Sequence, residues 1–454
     1  MSLIATDQLK VIIGMGVTGM SYAKLLSAKG QQFIMMDTRA KPAKLAEFQT
    51  LYPAVKVILG ELDKDILASA SEIIISPGIA KNQPAIDFAV NQGVALIGDV
   101  DLFCREVTKP IIAITGSNAK STVTTLVGDM ARESGLNVGV GGNIGFPVLD
   151  FLEQEEKDVY VLELSSFQLE TTNDLRASVA TVLNVSPDHL DRYDNQLQQY
   201  YQAKHRIFRG CKAVVENLDD ALTKPLLPKN VDVVGYRLGE SDFNIFGLMD
   251  VEIDGVASEY LALAKKPLLA TKDIKLPGKH NVINALSALA IGHVAGFKIE
   301  AMLKAITDFK GLEHRCQLVA EKNKVRFFDD SKGTNVGATI AALNGLGSVL
   351  KNDEKIVLIA GGVGKGADFS ELSAAANQYV RKLVLIGEDG QKIANSLPDI
   401  DVYFAKDMQD AVKHSADCAK EGDIVLLSPA CASFDMFNNF NHRGEVFSLH
   451  AKEL

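Results

Sequence analysis

Short apolar runs of four to seven residues, rich in Val and Ile, recur along this chain and alternate with longer amphipathic stretches. A strand covered by helices on both faces has no wet side, so a continuous apolar run marks a parallel sheet held between helical layers. The pattern sets the fold class as α/β. Candidate strands are Lys10 to Ile13, Gln32 to Met36, Glu72 to Ile75, Ile111 to Thr115, Val159 to Leu162, Thr181 to Val185, Lys355 to Ala360, Lys382 to Ile386 and Asp423 to Leu427. They fall into three groups, and 454 residues are too many for one core. The expected organisation is three packed domains: a Rossmann-like unit over 1–98, a P-loop ATPase-like α/β unit over 99–313 and a second Rossmann-like unit over 314–454. The middle unit carries a less regular insert near residues 212–275 that reads as richer in short strands. The third opens with a hairpin, Gln317 to Glu321, a Lys322-Asn323-Lys324 turn and Val325 to Phe328.

Lys+Arg 47 against Asp+Glu 57 leaves a net charge of −10, which argues against binding nucleic acid or adhering to an anionic membrane. Any phosphate-rich ligand must therefore be held by local geometry. No apolar run reaches the length of a membrane span, and Met1 to Asp7 lacks the basic and apolar segments of a leader, so the expected compartment is the cytoplasm. Five cysteines with no CxxC pair give neither a disulfide framework nor a structural zinc site.

Two glycine loops carry the first chemistry. Gly14-Met15-Gly16-Val17-Thr18-Gly19 follows a strand and opens a helix, and Asp37 ends the next strand. This is a dinucleotide fingerprint, with glycines that admit a diphosphate to a helix amino terminus and an acid placed to receive a ribose hydroxyl; it does not say which nucleotide. The second loop, Gly116-Ser117-Asn118-Ala119-Lys120-Ser121-Thr122, also follows a buried strand. Lys120 supplies charge for terminal phosphates, Ser121 a hydroxyl for Mg²⁺, and the loop a ring of amides. Ala119 stands where P-loops carry glycine, which predicts strain if the turn needs a positive φ. Glu163 ends the strand that follows and offers the carboxylate a P-loop metal site needs. His189 lies beyond another strand end, and Lys204 sits in a helical stretch from Gln196 to Arg209. In the third unit, three strands run into small polar loops: Asp330 to Asn335, Gly361 to Asp368 and Ser428 to Asp435. Three such loops in one sheet point to an anion pocket.

Together these segments resemble the ATP-dependent Mur ligases of bacterial peptidoglycan synthesis, across essentially the whole chain. The resemblance rests on Gly116 to Thr122, Glu163, Asp188 to Asp191, His280 to Ala285, His314-Arg315 and Asp330 to Lys332. Gly141 to Gly145, Glu163 to Glu170 and the three C-terminal loops look like the family member that adds D-glutamate. The resemblance implies an ATP-dependent amide ligase that activates a carboxylate as an acyl phosphate, with ATP as co-substrate and two Mg²⁺ ions. It implies that Gly116, Ser117, Asn118, Ala119, Lys120, Ser121, Thr122, Asn281, Asn284, Arg315, Asp330 and Lys332 hold ATP. Catalytic roles fall to Lys120, Asn143, Glu163, His189 and Lys204. The implied metal ligands are Ser121, Glu163, His189 and Lys204 as a carbamate.

The same resemblance reads the first fingerprint as a uridine-diphosphate site and not a nicotinamide one. Val17, Thr18, Asp37, Thr38, Arg39, Ser76 and Gly78 match that pocket, with Asn143 and His189 at its reacting end. Thr334, Lys365, Ser433 and Phe440 match a D-glutamate pocket. The implied substrates are UDP-N-acetylmuramoyl-L-alanine and D-glutamate, and a monomer is expected. Other amide ligases of the superfamily, including folylpolyglutamate synthetases, remain alternatives at this point.

Overall fold

The computed structural model describes residues 9–226, 231–253, 256–276, 278–351 and 353–454. The amino-terminal segment Met1 to Asp7, considered above for a leader, lies outside the described residues. Three sheets follow one another along the chain, and each forms from the apolar runs noted above.

The first sheet contains β1 (Lys10–Ile13), β2 (Phe33–Asp37), β3 (Val57–Leu59), β4 (Glu72–Ile75) and β5 (Ala95–Ile97). All its pairs are parallel, in the order β3-β2-β1-β4-β5. The order reverses between β1 and β4, and a crevice at such a switch point is where doubly wound sheets take ligands. The Gly14 loop and Ser76 stand there, at the carboxyl ends of these two strands. Gly19 is required: a Cβ on it would lie 1.8 Å from the Gly14 carbonyl oxygen, so the helix Val17–Ala28 can close onto the loop only without a side chain.

The second sheet has nine strands, ordered β14-β13-β12-β11-β10-β9-β6-β8-β7. They are β6 (Ile111–Thr115), β7 (Val138–Gly142), β8 (Val159–Glu163), β9 (Val179–Val182), β10 (Ala213–Asn217), β11 (Asp232–Glu240), β12 (Ile245–Ile253), β13 (Val256–Leu263) and β14 (Lys266–Ala270). Two expectations need correction here. The segment 212–275 is not a set of short strands: β11 to β13 run nine, nine and eight residues and extend the central sheet, ending in an antiparallel meander. Its polar, one-sided patterning hid its length, because one face is only half covered. The strand placed at Thr181 to Val185 is Val179–Val182, so His189 stands seven residues past its end. Leu183 to Val185 leave the sheet, and the Val185 N–H bonds to the Asp220 carboxylate at 2.8 Å.

The third sheet contains β15 (Gln317–Lys322), β16 (Val325–Asp329), β17 (Ile356–Gly361), β18 (Val380–Ile386), β19 (Val402–Phe404) and β20 (Ile424–Leu427), ordered β15-β16-β20-β17-β18-β19. The β15–β16 hairpin turns at Asn323 and Lys324, both with positive φ, the conformation that fits the right-handed strand twist. The three polar loops expected to form an anion pocket leave the adjacent strands β16, β20 and β17 at one edge. Among the described residues no helix is long and apolar enough to cross a membrane.

Candidate active site

The P-loop between β6 and the helix Lys120–Glu133 is pinned from behind. Asn184, which the sequence did not single out, takes the Asn118 N–H on its side-chain oxygen at 2.8 Å, and its own carbonyl takes the Ser117 N–H at 2.9 Å. Ser117 Oγ donates to the Ser186 carbonyl and receives the Ser186 N–H, both at 2.9 Å. Of the expected phosphate cradle around Gly116 and Asn118, the amides of Ser117 and Asn118 and the Ser117 hydroxyl are engaged within the loop itself. The amides of the helix's first turn, Lys120 to Thr122, have no intrahelical partner, as at any helix amino terminus.

Ala119 takes φ 64° and ψ −4°, the left-handed conformation that its missing glycine predicted. A Cβ in that region costs about 1–2 kcal/mol, while Ala in place of Gly gains back about 0.4–1 kcal/mol through the unfolded chain. Ala119→Gly is expected to raise the denaturant midpoint at unchanged slope, by up to about 1 kcal/mol of stability. A lowered midpoint would show that the turn is unstrained.

Two lysines converge on one carbonyl. Lys120 Nζ and Lys204 Nζ each donate to the Gly116 oxygen at 2.8 Å, and Lys120 also reaches the Ser117 oxygen at 2.8 Å. Lys204 is 1% exposed, and burial together with the Lys120 charge holds its amine well below the usual ammonium range. Burial also lowers Lys120, against the opposing pull of Glu163 and Asp188.

Glu163 ends β8 with its carboxylate 2% exposed as a residue; Oε1 accepts from Asn143 Nδ2 at 2.8 Å, and Oε2 is buried with no hydrogen-bond partner. A buried anionic oxygen without a donor is a costly arrangement that a cation would complete. His189, in a left-handed turn, has its Nε2 3.6 Å from Asp188 Oδ2, and burial lowers its pKa more than Asp188 raises it, which favours the neutral ring. Among the described residues no three His, Cys, Asp or Glu side chains form a ready-made metal cluster.

The third unit closes over this loop. Arg315 Nη2 donates to Ser121 Oγ at 2.6 Å, and Asn335 Nδ2 reaches both Asn118 Oδ1 at 3.2 Å and Asp188 Oδ2 at 3.1 Å. Between the two units lies a cavity of about 190 Å³. Asn118, Ala119, Thr122, Asn281 and Asn284 of the second unit line it, with Arg315, Asp330 and Lys332 from the third, so most of the residues assigned to ATP share one cavity. Asp330 is pushed up to about 7 by burial, against Ser428 and Arg315, and Lys332 is lowered to about 8 by burial and then by Arg315. Leu276, Ile283 and Leu346 give the cavity an apolar end suited to a flat ring.

The residues assigned to an amino acid separate into two places. Thr334 and Lys365 line a small cavity with His189 and Asp188, and Lys365 Nζ lies 3.8 Å from Asp188 Oδ1. Ser433 and Phe440 do not line that cavity. Ser433 is buried beneath its loop, and the Phe440 ring lies 3.9 Å under the Lys332 ammonium, where a cation–π contact holds that lysine.

In the first unit, Asp37 is 1% exposed and its carboxylate accepts from the Met15 N–H and from the Arg39 N–H, Nε and Nη2, at 2.7 to 2.9 Å. Four donors fill its acceptor sites, so the direct ribose contact read from the fingerprint is replaced by a brace that fixes the Gly14 loop and aims Arg39. Ser76 does the same from β4, its hydroxyl donating to the Gly14 oxygen at 3.0 Å. Val17, Thr38, Arg39 and Gly78 remain exposed around the crevice, and Thr18 is half-buried there.

Family models match this chain in three successive blocks: the Mur ligase MurD-like N-terminal domain at residues 8–98, the Mur ligase middle domain at 114–292 and the Mur ligase glutamate ligase domain at 314–431. A protein named UDP-N-acetylmuramoylalanine--D-glutamate ligase from Pseudomonas putida is 50% identical over 451 residues, covering 99% of this chain and 98% of its own length. The same-named protein from Pseudomonas aeruginosa is 50% identical over 455 residues, covering all of both chains. Among solved structures, a MurF ligase from Thermotoga maritima in complex with ADP aligns with a TM-score of 0.60 at 14% identity over 99% of this chain and 97% of its own. A UDP-N-acetylmuramate-alanine ligase from the same organism gives 0.58 at 20% over 98% and 99%. These two speak for the fold alone. With the P-loop, the unpaired Glu163 oxygen and the paired lysines already in place, end-to-end identity at this level means that the chain belongs to the Mur ligase family.

Proposed function

We propose that the protein is an ATP-dependent amide ligase that joins D-glutamate to UDP-N-acetylmuramoyl-L-alanine, a step of cytoplasmic peptidoglycan precursor synthesis. The observation that carries the chemistry is the meeting of Lys120 and Lys204 on the Gly116 carbonyl, with the charge of Glu163, whose Oε2 is unpaired, acting on both lysines. The half-sequence identity to D-glutamate ligases supports the choice of amino acid.

A carboxylate oxygen is a poor leaving group, so amide formation requires activation. In this reading ATP lies in the cavity between the second and third units. Lys120 and the amides of the following turn take the terminal phosphate, and Arg315 and Lys332 neutralise charge from the other side. The L-alanyl carboxylate, oriented by Asn143, attacks the γ-phosphorus, and ADP leaves. The amine of D-glutamate then adds to the acyl carbon and phosphate departs. Lys365, with Thr334, is placed to hold the incoming carboxylates.

Mg²⁺ fits the donor set: Ser121 and Glu163 would hold one ion and His189 a second, supplying charge neutralisation at the phosphate oxygens. Lys204 is suited to carbamylation. Its neutral amine forms a bond to the carbon of CO₂ and loses a proton to solvent, so that a side chain whose ammonium form would repel Lys120 becomes an anion that attracts it.

The test is phosphate release from ATP with UDP-N-acetylmuramoyl-L-alanine and a panel of amino acids. D-glutamate is expected to stimulate release, with L-glutamate, L-alanine and diaminopimelate near background. Stimulation by another amino acid would reassign the protein within the superfamily.

A further inference from the structure

A cavity of about 550 Å³ lies apart from every residue assigned above, at the junction of the first and second units. Its walls come from the loop after β4, which carries Lys81, and from the segment holding Glu170, Arg192, Tyr193, Arg206 and Arg209. Four cations thus face one carboxylate. That carboxylate is already used: Arg192 donates to both Glu170 oxygens, at 3.1 and 3.0 Å, and also to the Ile79 carbonyl of the first unit at 3.1 Å.

Arg206 is held by backbone, its Nε donating to the Leu169 oxygen at 2.6 Å and its Nη2 to the Thr172 oxygen at 2.8 Å. Lys81, Arg206 and Arg209 make no ion pair among the described residues. Burial holds the Lys81 ammonium below its usual range; Glu170 opposes this, while Arg206, Arg192 and Arg209 add to it. Tyr193, 4% exposed, lines the same cavity, with its hydroxyl turned toward Glu170 and Ser166. In a chain of net charge −10, unneutralised cations gathered round one cavity are an arrangement that an anion would relieve.

The Arg192 guanidinium lies over the Phe167 ring at 4.2 Å, and the same ring meets His189 edge-on with ring centres 5.1 Å apart. Neither Phe167 nor His189 lines the cavity. We infer that the cavity is a separate binding site for a small polyanion bearing two or more phosphate or carboxylate groups. Such a ligand bridges Lys81 of the first unit to Arg206 and Arg209 of the second and clamps the two units together.

The site is tested by calorimetric titration of the full chain with inorganic pyrophosphate at low salt in chelator, a binding readout independent of ligase activity. Lys120→Ala removes the P-loop cation, and pyrophosphate binding at the second site is expected to survive it. The double variant K81E/R209E is expected to weaken that binding by at least about tenfold, and Lys81→Ala or Arg209→Ala alone to weaken it less. Both side chains reach the surface and hold no other structure in place, so the variants keep their fold. Citrate as competitor separates the sources: displacement identifies a general polyanion site, and failure to displace identifies a phosphate site. If Lys120→Ala abolishes all pyrophosphate binding, or K81E/R209E binds it as tightly as the unaltered chain, the inference is overturned.

Discussion

Replacing Lys204 by Ala or by Arg is expected to lower turnover by about 10²–10³-fold, the loss typical of removing one preorganised electrostatic group from a reaction centre. The two substitutions fail for different reasons. Ala deletes the group, whereas Arg keeps a buried positive charge next to Lys120 and cannot react with CO₂, because a guanidinium stays protonated at any working pH. A cation is the wrong sign for this place: Lys120 and Lys204 already share the Gly116 carbonyl, and burial has shifted Lys204 toward its neutral amine. The unaltered protein should lose activity when its buffer is stripped of CO₂ and regain it with bicarbonate, and ¹³C-bicarbonate should give a carbamate carbon signal that Lys204→Arg lacks. An Arg variant that turns over normally would dispose of the carbamate.

The parts of the fold legible in the sequence are those where one physical requirement dominates. β1, β4 and β6 run Lys10–Ile13, Glu72–Ile75 and Ile111–Thr115, as their apolar runs predict, because a strand buried on both faces permits no polar interruption. The hairpin at Asn323 and Lys324 was equally legible, since few residue pairs accept two positive φ angles. β7, Val138–Gly142, gave no such signal: three of its five residues are glycine, placed where side chains and backbone come close. β11 to β13 were misjudged because their alternating polarity belongs to a sheet with one covered face.

The site divides in the same way. Residues whose type is dictated by the ligand's charge, such as Arg315 and Lys332, stand out in sequence and do gather at one cavity, and Arg315 reaches across to Ser121, the residue after Lys120. Residues that hold others in place do not stand out. Asn184 is one polar residue past a strand end, yet it consumes two donors of the P-loop. Asp37 and Ser76 stand in sequence where a ligand contact is expected, and their acceptors and donors are turned inward on the Gly14 loop. A motif names the residues a phosphate loop needs without saying which of them face the phosphate.

Glu163→Gln should separate activity from stability. Gln is nearly isosteric, and its side-chain oxygen can still accept from Asn143 Nδ2. Two changes oppose each other in the folded state. The buried Oε2 now lacks a donor, an arrangement that costs about 1–3 kcal/mol and is relieved when the charge goes. Attraction to the nearby Lys120 and Arg315 charges is lost at the same time. The net effect on the denaturation midpoint is expected to stay within about 1 kcal/mol of zero. No such compensation exists for turnover. An uncharged amide offers a weak ligand to a hard divalent cation, so turnover should fall by about 10²–10³-fold, and the gain in thermal stability given by Mg²⁺ with ADP should shrink. A Gln variant that keeps its rate within a factor of a few, or one that unfolds before any rate can be read while Glu163→Asp does not, would move Glu163 from the metal site to the framework of β8.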